Sequence, residues 1–231
     1  MASEAPPAPD PSMIRTAHAA FRRDLVRARI VAAGGDRDGR RLVLGDHLVW
    51  LMGALRRHHE AEDALYPLVV DRQPAAAPLV ATVDAEHGAI APAAGVLEEA
   101  AREFAEGAEP DRLLSALTDL DSVLLPHLER EEAELVPVAL GSLSAEQWQD
   151  WQRLRAAGAT SPAQRALEVH WLLDGADPST RGAVLARMPA VPRLLHRLRR
   201  RAYARRSRKL WAGTPAARVP ALTLQNYADW T

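Results

Sequence analysis

The sequence predicts an all-α protein, an up-down-up-down four-helix bundle with a C-terminal helical extension. Three observations point there. Apolar residues recur at alternating intervals of three and four over four long stretches. Runs of turn-forming residues separate the stretches. Pairs of histidines lie symmetrically about those turns, and the interval from His18 to His58 recurs from His87 to His127.

Residues 1–11 are rich in Pro and Ala and read as a disordered lead-in, without the basic and apolar regions of a signal peptide. The bundle is expected over 12–141. Its first helix carries Ile14, His18, Phe21, Leu25 and Ala28 on one stripe, and the breaker run 34–39 follows. The second carries Leu51, Leu55, His58, Glu62, Leu65 and Val69 and ends in the proline-broken stretch 71–78. In the third, Val80, Val83, His87, Ile90, Ala94, Leu97, Ala101 and Phe104 alternate strictly by three and four, up to Gly107. The fourth runs through Leu117, Leu120, Leu124, His127, Glu131, Leu135 and Val138 with one slip, and closes near Gly141. Pro67 and Pro137 should kink or end their helices, because each lacks a backbone donor.

A helical extension is expected over 142–213, opened by Ser144 as an N-cap. Further helices are expected over about 162–174, stopped near Gly175, over 178–188, stopped by Pro189, and over 192–211, stopped near Gly213. Trp148, Trp151, Leu154, Trp171, Leu172, Leu194, Leu195, Leu198 and Trp211 are the apolar residues able to dock them. The tail, 214–231, is broken by proline and reads as irregular.

The histidines carry the chemistry. In an antiparallel helix pair, residues equidistant from the turn lie level. The midpoints of His18/His58, His58/His87 and His87/His127 all fall on turn residues, which puts four imidazoles at one height. With 8 His and 30 acidic residues in the chain, about one His-x-x-x-acid pair is expected by chance. There are four: His58/Glu62, His59/Asp63, His127/Glu131 and His170/Asp174. Only His58/Glu62 and His127/Glu131 also have a histidine upstream at the repeat interval, namely His18 and His87. The constellation is therefore specific although each pair is not.

Glutamate is almost never buried unpaired, since a buried carboxylate costs several kcal/mol. Glu62 and Glu131 on core-facing stripes with four imidazoles therefore call for cations, and a pair of metal ions supplies them. Such donors suit iron, manganese or zinc. The chain has no cysteine, so thiolate sites are excluded, and residues 58–62 do not form the His-Glu-x-x-His of a zinc protease. The alternative is a metal-free core of histidines bonded to carboxylates, in a helical adaptor.

The motifs His58-His59-Glu60-Ala61-Glu62-Asp63-Ala64-Leu65-Tyr66-Pro67 and His127-Leu128-Glu129-Arg130-Glu131-Glu132 resemble the hemerythrin family in its HHE cation-binding branch. The resemblance covers about residues 12–140. It implies a non-heme centre of two iron ions bridged by Glu62 and Glu131, with His18 and His58 on one iron and His87 and His127 on the other. Oxygen carriers of the family have a further histidine one turn from the third-helix ligand, where this chain has Val83 and Ala91. By resemblance to some relatives Glu60 is put forward as an additional ligand, and Asp63, Tyr66, Glu86 and Glu132 also offer oxygen atoms. His59 points about 100° away from His58 and is expected outside the ligand set or at the surface. Asp63 and Glu132 either orient ligand histidines or lie as solvated charges.

The resemblance implies a protein that binds O2, peroxide or NO. Two functions stay open: an oxidase, oxygenase or peroxide-consuming enzyme, and a sensor or store of O2, NO or iron that signals through a basic C-terminal arm. That arm is visible in the charge distribution. Residues 1–180 carry 29 of the 30 acids and 17 of the 29 bases, whereas residues 181–231 carry 12 bases and one acid, Asp229. It can pack on the acidic bundle or meet an acidic protein partner through 181–211. Charge alone licenses only non-specific nucleic-acid or membrane affinity, and with no base-reading motif nucleic acid is not expected. His47 reads as a satisfied boundary histidine, and His170 and His196 lie outside the repeat. The chain has no cysteine and no apolar run long enough to span a membrane, which leads to the expectation of a cytoplasmic protein.

Overall fold

The computed structural model describes residues 9–35, 37–157, 161–188 and 190–230. Most of the expected lead-in, Asp36 and the stop at Pro189 lie outside them, as does the side chain of Leu154. Among the described residues the secondary structure is entirely helical.

The apolar stripes become four long helices: α1 (Ser12–Ala33), α2 (Arg41–Asp63), α4 (Ala77–Ala105) and α5 (Asp111–Arg130). Between α2 and α4 lies the short α3 (Tyr66–Arg72), with Pro67 in its first turn, where a missing N–H costs nothing. Helix α4 packs along both α2 and α5, and α1 packs on α5 and α2. Gly45 permits the closest part of this packing, because a Cβ there would lie 2.5 Å from the Ala101 carbonyl oxygen of α4. Gly107, at φ 110°, makes the turn between α4 and α5 in a conformation that glycine adopts without steric cost.

The slip in the fourth stripe has a structural counterpart. After α5 the chain widens into a π-helical turn, Glu131–Leu135, before α6 (Val136–Ser142), which carries Pro137 in its first turn. His127, Glu131, Leu135 and Ala139 follow one another at i, i+4 spacing, which drifts around an α-helix. The wider turn absorbs that drift, and all four are buried.

Two apolar clusters enclose the polar layer. One contains Phe21, Leu51, Leu55, Ile90, Leu124 and Leu128, and the other contains Ile14, Leu65, Tyr66, Val83, Leu135 and Trp151. Along the helices, the histidines of the repeat and Glu131 fall between members of the first cluster and members of the second.

The extension forms α7 (Ala145–Ala157), α8 (Pro162–Leu172), α9 (Pro178–Arg187) and α10 (Ala190–Trp211). Ser144 caps α7 as expected: its Oγ accepts from the Gln147 N–H, and its own N–H donates to Gln147 Oε1. Helices α8 and α10 pack together, and α8 also packs on α1. Residues after α10 contain two short 3-10 turns and lie against α1. Val219 and Leu222 are buried beside Val26, and the Leu222 N–H donates to the Ala19 carbonyl oxygen.

This cover buries α1 on its charged face as well as its apolar stripe. Arg22, Arg23 and Arg27 are all buried. Arg23 donates to Asp24 and to the Trp171 and Asp174 carbonyl oxygens, and Arg27 donates to Asp174 and to the Val219 carbonyl oxygen. The basic arm is divided: Leu210 and Trp211 are buried, while Val191, Leu194 and Leu198 are exposed among the arginines of 193–201.

Candidate metal centre

The four repeat histidines arrive from four helices: His18 from α1, His58 from α2, His87 from α4 and His127 from α5. Glu62 lies one turn after His58, and Glu131 opens the π turn one turn after His127. All six are buried. They fall into two groups of donor atoms, each mutually within 4.8 Å. One is His18, His58, Glu62 and Glu131, and the other is His59, His87 and His127.

In the first group, His18 Nε2 lies 3.0 Å from His58 Nε2 and 3.4 Å from Glu131 Oε2, and His58 Nε2 lies 3.2 Å from Glu62 Oε1. Glu131 Oε2 is also 3.5 Å from His127 Nε2, so this one carboxylate oxygen stands between the groups. Tyr66 adds a hydroxyl, which donates to Glu131 Oε1 at 3.2 Å and is 3.2 Å from His87 Nε2.

Of the two places expected for His59, the surface is not the one it takes. It is 8% exposed, and its ring stacks on that of His87 with centroids 4.0 Å apart and planes 13° apart. A helical neighbour of a core residue is solvent-facing only if nothing packs there, and here α4 and α5 bring His87 and His127 to that side. Glu60, put forward as an additional ligand, is exposed and belongs to neither group. The sequence did hold a signal: His59 begins its own His-x-x-x-acid pair with Asp63 beside the pair of His58 and Glu62. The repeat does not select that pair, because Ala19 stands where a matching upstream histidine would be.

A carboxylate meets the outer nitrogen of three imidazoles. His18 Nδ1 is 2.9 Å from Glu132 Oε1, His87 Nδ1 is 2.8 Å from Asp63 Oδ1, and His127 Nδ1 is 3.2 Å from Glu86 Oε2. A carboxylate only accepts, so the proton sits on Nδ1 and the Nε2 lone pair faces inward, the tautomer that ligates a metal. Arg22 holds Glu132, and Arg130 holds Glu86. Glu132, Asp63 and Glu86 each stand where they can orient an imidazole, Glu132 largely buried and Asp63 still exposed to solvent.

Electrostatics run the same way for His59 and His127 and the opposite way for His18. Burial, with the charges of His87, His127 and His18, pushes the His59 pKa down to about 2 and keeps the ring neutral. Burial also lowers the pKa of His127. Burial opposes protonation of His18, but its pairing with Glu131 and Glu132 outweighs this and raises its pKa. Burial would raise Glu131, yet His18 and His127 hold it below its usual value. Burial and the charges of Glu131 and Glu62 raise the Tyr66 hydroxyl far above its usual value, so the phenol keeps its proton.

The donor set fits cations. His59 Nε2, His127 Nε2 and Glu131 Oε2 are buried and have no hydrogen-bond partner among the described residues. Orphaned buried polar atoms are costly, and three at the meeting point of two donor groups are satisfied together by metal ions.

Helices and site together define an all-helical protein with nitrogen and carboxylate donors gathered in its interior. The family model "Hemerythrin HHE cation binding domain" matches residues 11–139, more than half of the 231. The chain belongs to the hemerythrin family, whose domain binds metal cations. Neither a curated protein nor a solved structure matches it. Among the described residues no helix is long and apolar enough to cross a membrane.

Proposed function

We propose that this protein holds two iron ions and binds O2 or peroxide at them, reducing what it binds. His18 and His58 hold one ion, and His59, His87 and His127 hold the other. Glu131 lies between them, and Glu62 completes the first group. Residues 12–141 form the up-down-up-down bundle that carries the centre, residues 142–213 are a helical cover, and residues 214–231 are an irregular tail. Iron, when bound, supplies the electrons and the open coordination positions.

The observation that carries the reading of reduction is the Tyr66 hydroxyl. It lies within hydrogen-bond distance of both His87 and Glu131 and keeps its proton at neutral pH. Reduction of O2 or peroxide to water consumes protons, and a buried neutral phenol at the junction of the two groups is placed to deliver one. Glu131 accepts from that hydroxyl and can shift the proton inward.

A second reading, reversible binding of O2 or NO by a sensor, is favoured by His59. With it the imidazoles divide three to two, so the two ions would have unlike donor sets, three imidazoles beside one and two imidazoles with Glu62 beside the other, and such asymmetry suits end-on, reversible binding. In that reading the exposed part of α10 passes the state of the centre to an acidic protein partner.

The test is metal analysis after anaerobic purification, then visible spectra on adding O2 and, separately, peroxide. Two irons per chain and a band that forms and decays as water is produced support reduction. A band that persists and is reversed by removing the gas establishes the sensor reading. Failure to bind iron even after ferrous reconstitution overturns both.

A further inference from the structure

Beyond the two donor groups, the deepest polar cluster surrounds Asp24 on α1. Its carboxylate is 1% exposed and accepts from three side chains: Arg23 Nε at 2.7 Å, His47 Nε2 at 2.8 Å and the Trp171 indole N–H at 2.8 Å. The Arg206 guanidinium donates to His47 Nδ1, which fixes the proton of that ring on Nε2 and points it at Asp24. Burial alone would raise the Asp24 pKa; Arg23 and His47 more than offset it and keep the carboxylate ionised. Trp171 therefore donates its N–H to an ionised carboxylate that it shares with Arg23 and His47.

Trp171 also belongs to a file of aromatic rings. His58, in the first donor group, is 5.5 Å from Phe21 between centroids, and Phe21 is 5.1 Å from Trp171. Trp171 is 5.3 Å from Trp50, edge to face. Trp50 is partly exposed and lines a groove of about 500 Å³ with Asp46, Arg205, Arg206 and Lys209. The file thus leads from the metal centre to a cationic groove on the surface.

We propose that Trp171 is a redox-active residue that donates one electron to the metal centre and is refilled through Trp50 by an anionic one-electron reductant in that groove. The proposal rests on the proposed reduction of O2. Four electrons and four protons take O2 to two waters. Two ferrous ions, when bound, would supply two of those electrons. Trp171 supplies the third from its indole π system and becomes a radical cation. Its N–H proton stays on the ring, hydrogen-bonded to the ionised Asp24 carboxylate, which lowers the cost of the cation. The reductant supplies the fourth electron, and a further electron from it restores Trp171.

Two comparisons within the molecule locate the radical at Trp171. Trp50 has the Arg206 guanidinium 5.0 Å over its ring, which disfavours a positive charge there and leaves Trp50 as the contact with the groove. The Arg23 guanidinium is 6.0 Å from the Trp171 ring, but it is already paired with Asp24. Trp151, packed in the same cluster as Tyr66, donates its N–H to the neutral Ala61 carbonyl oxygen, and Trp148 Nε1 has no partner among the described residues.

The experiment is freeze-quench electron paramagnetic resonance on the full chain, loaded with ferrous iron and mixed with O2, using protein labelled with ring-deuterated tryptophan. An indole radical is expected in the wild type and in Trp148→Phe. It is expected to vanish in Trp171→Phe, to be replaced by a tyrosyl signal in Trp171→Tyr, and to lose yield in Asp24→Asn. Should Trp171→Phe not fold, Trp171→Tyr alone decides through the identity of the radical. An indole signal undiminished by either Trp171 substitution, or no signal while O2 is consumed, overturns the proposal. A wild type that takes up iron but leaves O2 untouched overturns the reduction reading first, and this proposal with it.

Discussion

The imidazoles of His59 and His87 lie face to face, 4.0 Å apart, although they come from different helices and His87 alone lies on the core stripe of its helix. Two cationic rings would repel in that position, so His59 is held neutral and offers a lone pair. Replacing it should remove one metal ion and spare the other. Elemental analysis of His59→Ala after ferrous reconstitution should give one iron per chain against two in the wild type, whereas Glu60→Ala should keep both. Equal iron in wild type and His59→Ala would show that His59 is only a packing residue.

Tyr66→Phe removes the hydroxyl and little else. Iron content should be unchanged, while single-turnover reduction of O2 or peroxide slows by about 10² or more, the usual contribution of a positioned proton donor. An unaltered rate would dispose of the proton-delivery role.

Much of this centre was legible in the sequence, and the part that was not has a physical explanation. The stripes through His18, His58, His87 and His127 follow from the helical period, and their common height follows from symmetric spacing about the turns. His59 was hidden because periodicity says which way a residue points and not what packs there. The burial of Arg22, Arg23 and Arg27 was hidden for a related reason. A four-helix pattern assigns that face of α1 to water, whereas the Trp171, Asp174 and Val219 carbonyl oxygens receive Arg23 and Arg27, and Glu132 of the π turn receives Arg22.

Asp24 should set the acid limit of the fold. Its folded pKa is depressed, so its stabilisation is complete above the unfolded value, about 3.9, and is lost as pH falls below that toward the folded value. Asp24→Asn should cost about 3–5 kcal/mol at pH 7, because it leaves Arg23 buried without its counter-charge. Urea titrations of the metal-free protein between pH 2 and 7 should show a shallower decline below about pH 4 in the variant than in the wild type. Parallel curves would assign the acid limb to other carboxylates.

Gly45 is a packing constraint and not a turn. A methyl group there meets the backbone oxygen of Ala101 at 2.5 Å and the Ala105 Cβ at 2.7 Å. Gly45→Ala should therefore destabilise by about 1–3 kcal/mol through separation of α2 and α4, despite alanine's better helix propensity. A denaturation midpoint equal to or above that of the wild type would show that the two helices part freely.

The clasp of residues 219–222 on α1 fixes an order of events. The Leu222 amide that bonds the carbonyl oxygen of Ala19, the residue next to His18, is made about 200 residues after it. At about 5–20 residues per second, the nascent chain waits roughly 10–40 s between the two. During that interval the helix carrying His18 has no outer wall, and the Trp171 and Val219 carbonyl oxygens that receive Arg23 and Arg27 are not yet made. The helix that carries His18 is thus made long before the segment that covers its outer face.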